Sequence, residues 1–425
     1  MPSLQGVLHY GWPRALAFLS ISSLIVFPRS FLFLKMALLL TLTAFFIVKF
    51  NRKIFLRFPV PLLLLAISIA ALGMTWSMIG LLNGGNLVGV FDSLRLYVFW
   101  SFAWALLSYF IILGGGAKLL HECFLWSAVA IVFINFAGVI DTWFSLDMMP
   151  FSLRDELKLF VGIHDGYIQI TSHNIGSLFF LTSYFFITLI SNRFPQNISF
   201  CVLAYVLLIL LAICSGRRAL WATVFISHSV AIIHSFISPR FYDRKAIKRI
   251  LVIFALLGFF GSYFLITYAD VSLFATGEHI IGAFSQEDER SIQAPFLISG
   301  FVDNFWFGSG FGVDAGYERN AERPWIYELI YHQLAFNFGI IGLIAVGLMS
   351  GWILLKSAIK LYRIDEFHYI LAALYGCFSM GVANYSNPYI GSFDFMIYIW
   401  ILPLFCAEIR GQFEHSKVNF YAHEK

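Results

Sequence analysis

The sequence predicts an all-α polytopic membrane protein, and three observations predict it. Hydrophobic residues make up 60% of the chain and charged residues 12%, about half the ~25% charge of a soluble domain. Apolar stretches near the ~20 residues needed to cross a bilayer recur from end to end. Lys and Arg concentrate in alternate connections between those stretches, as they do in loops on the cytoplasmic side. The net charge of +4 belongs to those loops and gives no reason to expect nucleic acid.

Twelve stretches qualify, near 13–28, 32–49, 59–79, 94–113, 122–140, 172–190, 197–214, 219–237, 250–268, 329–355, 367–384 and 394–409. The first is short and the tenth long. No small-residue cleavage pattern precedes the first, so it is expected to stay as a helix. No internal repeat is visible, and 1–425 reads as a single integral membrane domain. With an internal N-terminus, one side collects Lys49, Arg52, Lys53, Arg57, Lys118, Arg193, the cluster Arg240, Arg244, Lys245, Lys248 and Arg249, then Lys356, Lys360, Arg363, Arg410 and Lys417. Both termini are therefore expected in the cytoplasm. Two outward connections are long: 141–171, and 269–328 between the ninth and tenth helices. Inside the helices only Lys35 and Arg95 offer charge, whereas a transporter places polar groups at the midplane. That distribution favours chemistry at the outer face.

Arg217 and Arg218 defy the charge rule, standing at the outward start of the 219–237 span after Ser215-Gly216. Snorkelling to headgroups, or capping the preceding helix, is one reading of such a pair. Binding an anion is the other: guanidinium groups hold phosphate bidentately, and a helix N-terminus attracts it. A lipid-linked phosphate is the candidate anion.

In the second long loop, Glu287, Asp288, Glu289, Arg290, Asp303, Asp314, Glu318, Arg319, Glu322 and Arg323 read mainly as a solvated surface. The run Asn304-Phe305-Trp306-Phe307-Gly308-Ser309-Gly310-Phe311-Gly312 interleaves glycines with aromatics. It suits sugar stacking by Trp306 and its neighbours, with glycines allowing close backbone approach, and equally an aromatic membrane anchor. After Pro324 a helix is expected to begin, placing Glu328 and His332 on one face near the outer interface. Glu328 in a partly apolar site suits a general base; a Glu328–His332 pair that fixes packing is the alternative. His164, Asp165 and His173 are also external, without a catalytic assignment. The stretch 150–160 is amphipathic enough to lie on the membrane. The five cysteines show no metal spacing, and no metal or cofactor is expected.

The glycine-rich run, Tyr327-Glu328, and Phe338-Gly339-Ile340-Ile341-Gly342-Leu343-Ile344 together resemble the O-antigen ligase/polymerase superfamily. Ser215-Gly216-Arg217-Arg218-Ala219 matches its earlier motif at a helix start. The likeness covers roughly 200–355. It implies a GT-C-like glycosyltransferase of the bacterial inner membrane, using glycans on undecaprenyl diphosphate at the periplasmic face. It maps diphosphate binding onto Arg217 and Arg218. Arg319, Arg323, His332, Tyr327 and Trp306 are the further expected substrate contacts. Family ligases carry a His eleven residues before the glycine of the Gly-Ile-x-Gly turn. Here that position is Glu328, which turns the expectation toward a repeat-unit polymerase for O-antigen or a related polysaccharide. Membrane lipid and a chain-length regulator are the other expected partners. Ligase and lipid-linked oligosaccharide flippase remain the alternatives.

Overall fold

The computed structural model describes residues 11–49, 58–164, 167–191, 198–250, 252, 289–319, 321–361, 367–385, 389, 391–405 and 407. Almost all of the expected ninth span, 250–268, and the loop segment 269–288 lie outside the described residues. About 79% of the structure is helical. In chain order the elements are α1 (Gly11–Val26), α2 (Leu32–Lys49), α3 (Val60–Leu82), α4 (Leu87–Leu94), a π-helical turn (Arg95–Phe99), α5 (Trp100–Gly114), α6 (Gly116–Phe144), α7 (Phe151–Leu157), β1 (Phe160–His164), β2 (Tyr167–Thr171), α8 (Ile175–Ile190), α9 (Ile198–Cys214), α10 (Arg218–Ile237), α11 (Glu289–Asp303), α12 (Ile330–Leu361) and α13 (Phe367–Ala383). A final apolar helix, α14, runs Asp394–Phe405. Among the described residues five helices are long and apolar enough to cross a membrane: Val60–Leu82, Leu87–Gly114, Gly116–Phe144, Ala219–Ile237 and Ile330–Leu361. Six shorter apolar helices fall on other expected spans.

The chain forms two compact units. The first holds 1–127, 293–373 and 384–425; the second holds 128–292 and 374–383.

In the first unit, α1 and α2 join through a tight turn in which Arg29 and Phe31 adopt positive φ. Asp394 holds that turn. Its carboxylate pairs with Lys35 and accepts the Arg29 N–H at 2.9 Å, while Lys35 also donates to the Phe27 carbonyl. Lys35 thus sits in the first turn of α2 as half of a buried ion pair. Arg95 is mostly exposed and pairs with Asp92 at 2.9 Å. Neither is the open midplane charge that a transport path would use.

The expected tenth span is long because it is two helices. Within α12, Gly339 leaves helical geometry at φ 57°, ψ −171°. Residues 340–361 alone rise about 33 Å, which matches a bilayer core of ~30 Å. A break strands the N–H groups after it and the carbonyls before it. The glycine-rich run satisfies them. Ile340 and Ile341 donate to the Phe305 and Trp306 carbonyls at 2.8 and 3.1 Å, and Ser309 and Gly310 donate to the Phe336 and Asn337 carbonyls at 2.8 and 3.0 Å. The Trp76 indole N–H, from α3, reaches both the Phe307 and Phe338 carbonyls at 2.7 and 3.0 Å. Phe311 donates its N–H to the Trp76 carbonyl at 3.0 Å, and its ring stacks on Tyr97 from the π-helical turn. The close approach expected of these glycines is real. Gly310 holds φ +79°, and a Cβ there would meet the backbone of Ile79 and Gly80.

In the second unit every residue of α8 is buried. Beside it, Asn135 donates to Asn174 at 2.9 Å, and Ser172 lies within hydrogen-bonding distance of both. In the 150–160 stretch, expected to be amphipathic enough to lie on the membrane, α7 is also tied to its own unit. Arg154 pairs with Asp141 at 2.5 Å, and Leu157 and Leu159 are buried. It leads into a hairpin in which Phe160 faces Thr171 and His164 faces Tyr167. The ends of α8 and α10 are joined: Asp243 donates to the Ile190 carbonyl at 2.8 Å, and Ser191 bridges to Tyr242. The two helices pack against each other and run parallel, so their starts, at Ile175 and Arg218, share the opposite end.

Candidate functional site

The arginine turn lies in the second unit. α9 stops at Cys214, and Gly216 takes the left-handed conformation at φ 64° that ends helices. Buried Ser215 donates to the Ala212 carbonyl at 2.7 Å and accepts the Arg217 N–H at 3.3 Å. The Trp221 indole also donates to Ala212, at 2.8 Å. Those contacts set Arg217 as the extended residue just before α10 and Arg218 as its first helical residue. Arg217 is part-exposed. Cations at a helix N-terminus oppose the helix dipole, typically by ~0.3–1 kcal/mol each. The start of α10 therefore gives no reason for two of them to stand here, whereas the end of α9, three residues earlier, is a place that attracts cations. The N-terminal end of α10 is itself a place that attracts an anion. The hairpin and His173 share this end of the unit, as the parallel course of α8 and α10 requires.

Glu328 lies in the first unit. Its expected place on a helix face with His332 is corrected: α12 begins at Ile330, so Glu328 precedes the helix and His332 sits in its first turn. The segment after Pro324 opens with a turn, the Ile326 N–H donating to the Arg323 carbonyl at 3.1 Å, and then buries alternate side chains instead of forming a helix. Trp325, Tyr327 and Leu329 point inward; Ile326 and Glu328 are part-exposed. The Trp325 carbonyl accepts from Gln333 Nε2 at 2.9 Å, which closes the segment onto α12. Tyr327, expected to touch substrate, is fully buried. Its hydroxyl donates to Asp314 at 3.0 Å and accepts the Ala315 N–H at 2.7 Å. Burial pushes its pKa up, and the Asp314 carboxylate adds to the rise. Tyr327 builds the loop rather than facing a ligand.

Glu328 is the charged residue between Pro324 and Ile330, and it is part-exposed. Its side chain is 17% exposed and accepts from Arg319 at 2.5 Å, with Arg319 32% exposed. Its N–H donates to Gln293 Oε1 at 3.1 Å. Gln293, on α11, is fully buried, and its Nε2 has no partner among the described residues. Sequence reading passed over Gln293 because an uncharged residue in a loop carried no signal; its role exists only once α11 folds under the segment. Arg323 is exposed and His332 part-exposed. Trp306 is 64% exposed, flanked by exposed Phe305 and Phe307. These three aromatics are available for stacking, whereas Phe311 is buried. Thus the fold brings Arg319 to Glu328, keeps His332 on a separate element, and carries Arg217 and Arg218 in the other unit.

Also in the first unit, α3 and α12 flank an apolar groove of about 580 Å³, lined from Pro61 to Thr75 on α3 and from Ala345 to Trp352 on α12. Thr75 adjoins Trp76, which holds the Gly339 break. Among the described residues no cluster of three or more His, Cys, Asp or Glu could hold a metal ion.

No protein-family model matches this chain, and no curated protein matches it. Fold and site define a class: a helical membrane protein whose polar loops pack onto the ends of apolar helices.

Proposed function

We propose that this chain is a glycosyltransferase that polymerises lipid-diphosphate-linked oligosaccharide repeat units. In this reading it carries twelve spans in a GT-C-like arrangement, sits in the bacterial inner membrane with both termini cytoplasmic, and works at the periplasmic face on O-antigen or a related polysaccharide. The observation that carries the reading is the accessible Arg319–Glu328 pair, held on a loop that is stapled to a broken helix. The apolar groove along α3 supports a substrate with a lipid chain.

The chemistry assigns roles one by one. The Glu328 carboxylate takes the proton of the acceptor sugar hydroxyl as its oxygen attacks the anomeric carbon. The bond to the diphosphate breaks, and the lipid diphosphate leaves with the electron pair. Arg217 and Arg218, in the second unit, are the residues we assign to binding a lipid diphosphate. Displacement without an enzyme nucleophile inverts the anomeric centre. Gln293 and Arg319 position Glu328 through its backbone and its carboxylate. Trp306 offers a ring face to a sugar.

A flippase draws on one observation, since discontinuous helices line substrate paths in transporters. Here, however, the backbone of 304–312 fills the break at Gly339. A ligase would use the same residues with a different acceptor.

The test is reconstitution with a lipid-diphosphate-linked repeat unit in EDTA. A product ladder is expected, reduced about 10²–10⁴-fold in Glu328→Gln and lost in Arg218→Ala. One transfer onto lipid A-core without a ladder would make the protein a ligase. Movement of substrate across the bilayer with no transfer would refute the enzyme reading.

A further inference from the structure

The second unit ends α10 in a short connection and then a helix over 244–250 whose two faces differ in kind. Ala246, Ile247 and Ile250 are buried, whereas Arg244, Lys245, Lys248 and Arg249 are exposed. The four cations fall at i, i+1, i+4 and i+5, so they form one stripe. Just before them, Arg240 lies over the Phe241 ring, its guanidinium carbon 4.4 Å from the centroid. Asp243 is the sole acid between 239 and 250. It is used locally, its carboxylate accepting the Lys245 N–H at 2.8 Å. Among the described residues, no ion pair involves the four cations.

This helix is held in place. The backbone of Tyr242 and Asp243 is bonded to Ser191 and Ile190 at the end of α8. The Tyr242 hydroxyl lies 2.7 Å from His234 Nδ1, near the end of α10, and donates to the Tyr375 hydroxyl at 3.5 Å. The apolar side is thereby fixed against the unit and the cationic side outward. Ala219–Ile237 is long and apolar enough to cross a membrane, and the stripe begins seven residues after its end. A cationic stripe so soon after a span suits the headgroup layer. Four like charges on two helical turns repel one another unless anions lie among them.

We propose that this stripe binds the anionic headgroups of phospholipids in the leaflet where α10 ends. Each Lys or Arg near an anionic membrane surface contributes ~1 kcal/mol, about 5-fold in affinity. Lipid phosphates are the nearest anions to a face so close to a span. An acidic protein segment would first have to displace them.

The experiment reconstitutes the full chain in nanodiscs of phosphatidylcholine with a minor fraction of phosphatidylglycerol. Spin-labelled lipids report relative association. A nitroxide at Lys248→Cys reports, by its broadening, whether phosphatidylglycerol gathers at the stripe. The expected result is enrichment of phosphatidylglycerol by several-fold at the stripe, falling as salt rises. Changing Arg244, Lys245 and Arg249 to Gln in that labelled chain should abolish the enrichment. Changing Arg244 and Arg249 to Lys should keep it. Far-UV circular dichroism checks that each variant is folded. Equal enrichment with and without the three Gln substitutions would overturn the proposal. So would absence of enrichment in the labelled chain that keeps Arg244, Lys245 and Arg249 while a polyglutamate peptide binds the stripe, which would assign the face to an acidic protein segment.

Discussion

Replacing Gly310 by Ala tests the loop-on-break architecture through a single methyl group. Gly310 holds φ +79°, and left-handed backbone costs a residue with a Cβ about 1–2 kcal/mol. The added Cβ would also sit 2.8 Å from the Ile79 carbonyl carbon and closer still to Gly80. Those neighbours are backbone of a packed helix and cannot rotate away. Overpacking of this kind costs about 1–3 kcal/mol. The sum is about 2–5 kcal/mol, together with strain on the Gly310-to-Asn337 hydrogen bond. The control is Gly347→Ala on the same helix as the break. A Cβ at Gly347 meets nothing within 4 Å, so the change should be neutral or stabilising by up to about 1 kcal/mol. The assay is thermal unfolding in detergent, with hydrogen exchange followed over 304–312 and 336–341. Gly310→Ala should lower Tm and speed exchange in both segments. Equal Tm values for the two variants, with unchanged exchange, would refute the claim that this loop is locked onto α3 and the Gly339 break.

Trp76→Phe keeps most of the ring and removes the N–H that serves the Phe307 and Phe338 carbonyls. A loss of about 1–3 kcal/mol is expected, seen as a lower Tm with faster exchange at 339–341. Asp394→Asn leaves Lys35 buried without its counter-charge, and a loss of about 3–5 kcal/mol should follow in denaturant unfolding. Replacing both partners, Lys35→Met with Asp394→Leu, should recover most of it, whereas a double variant as unstable as the single one would argue against a simple ion-pair role. Arg319→Ala should lower turnover more than substrate affinity if Arg319 positions Glu328, and a change confined to KM would assign it to substrate binding instead.

The helices were legible because crossing a bilayer demands long apolar runs. The hairpin was legible too, and was missed. Val161 and Ile163, then Ile168 and Ile170, alternate on either side of Asp165-Gly166, a standard short hairpin pattern. Its period of two is short and lies directly before the much longer apolar run of α8. Glu328 stood out as a charge beside an apolar run, but its setting did not. A helix start after Pro324 was reasonable from local rules alone. It failed because Trp325 and Tyr327 find buried sites on elements distant in sequence, and those contacts outweigh helix propensity.

Amino-acid order by itself determined the class of molecule, most of the helices, and the glycines that let one backbone touch another. Composition and periodicity are local quantities, and the bilayer's thickness acts on them directly. Only the tertiary structure decided that the tenth stretch is two helices joined at Gly339. Only it decided that residues 304–312 supply the hydrogen bonds this break requires, and that Asp394 answers Lys35. Each of those outcomes depends on a buried polar group finding a partner far along the chain. The penalty for leaving such a group unpaired is large, but which partner meets it is set by how the helices pack.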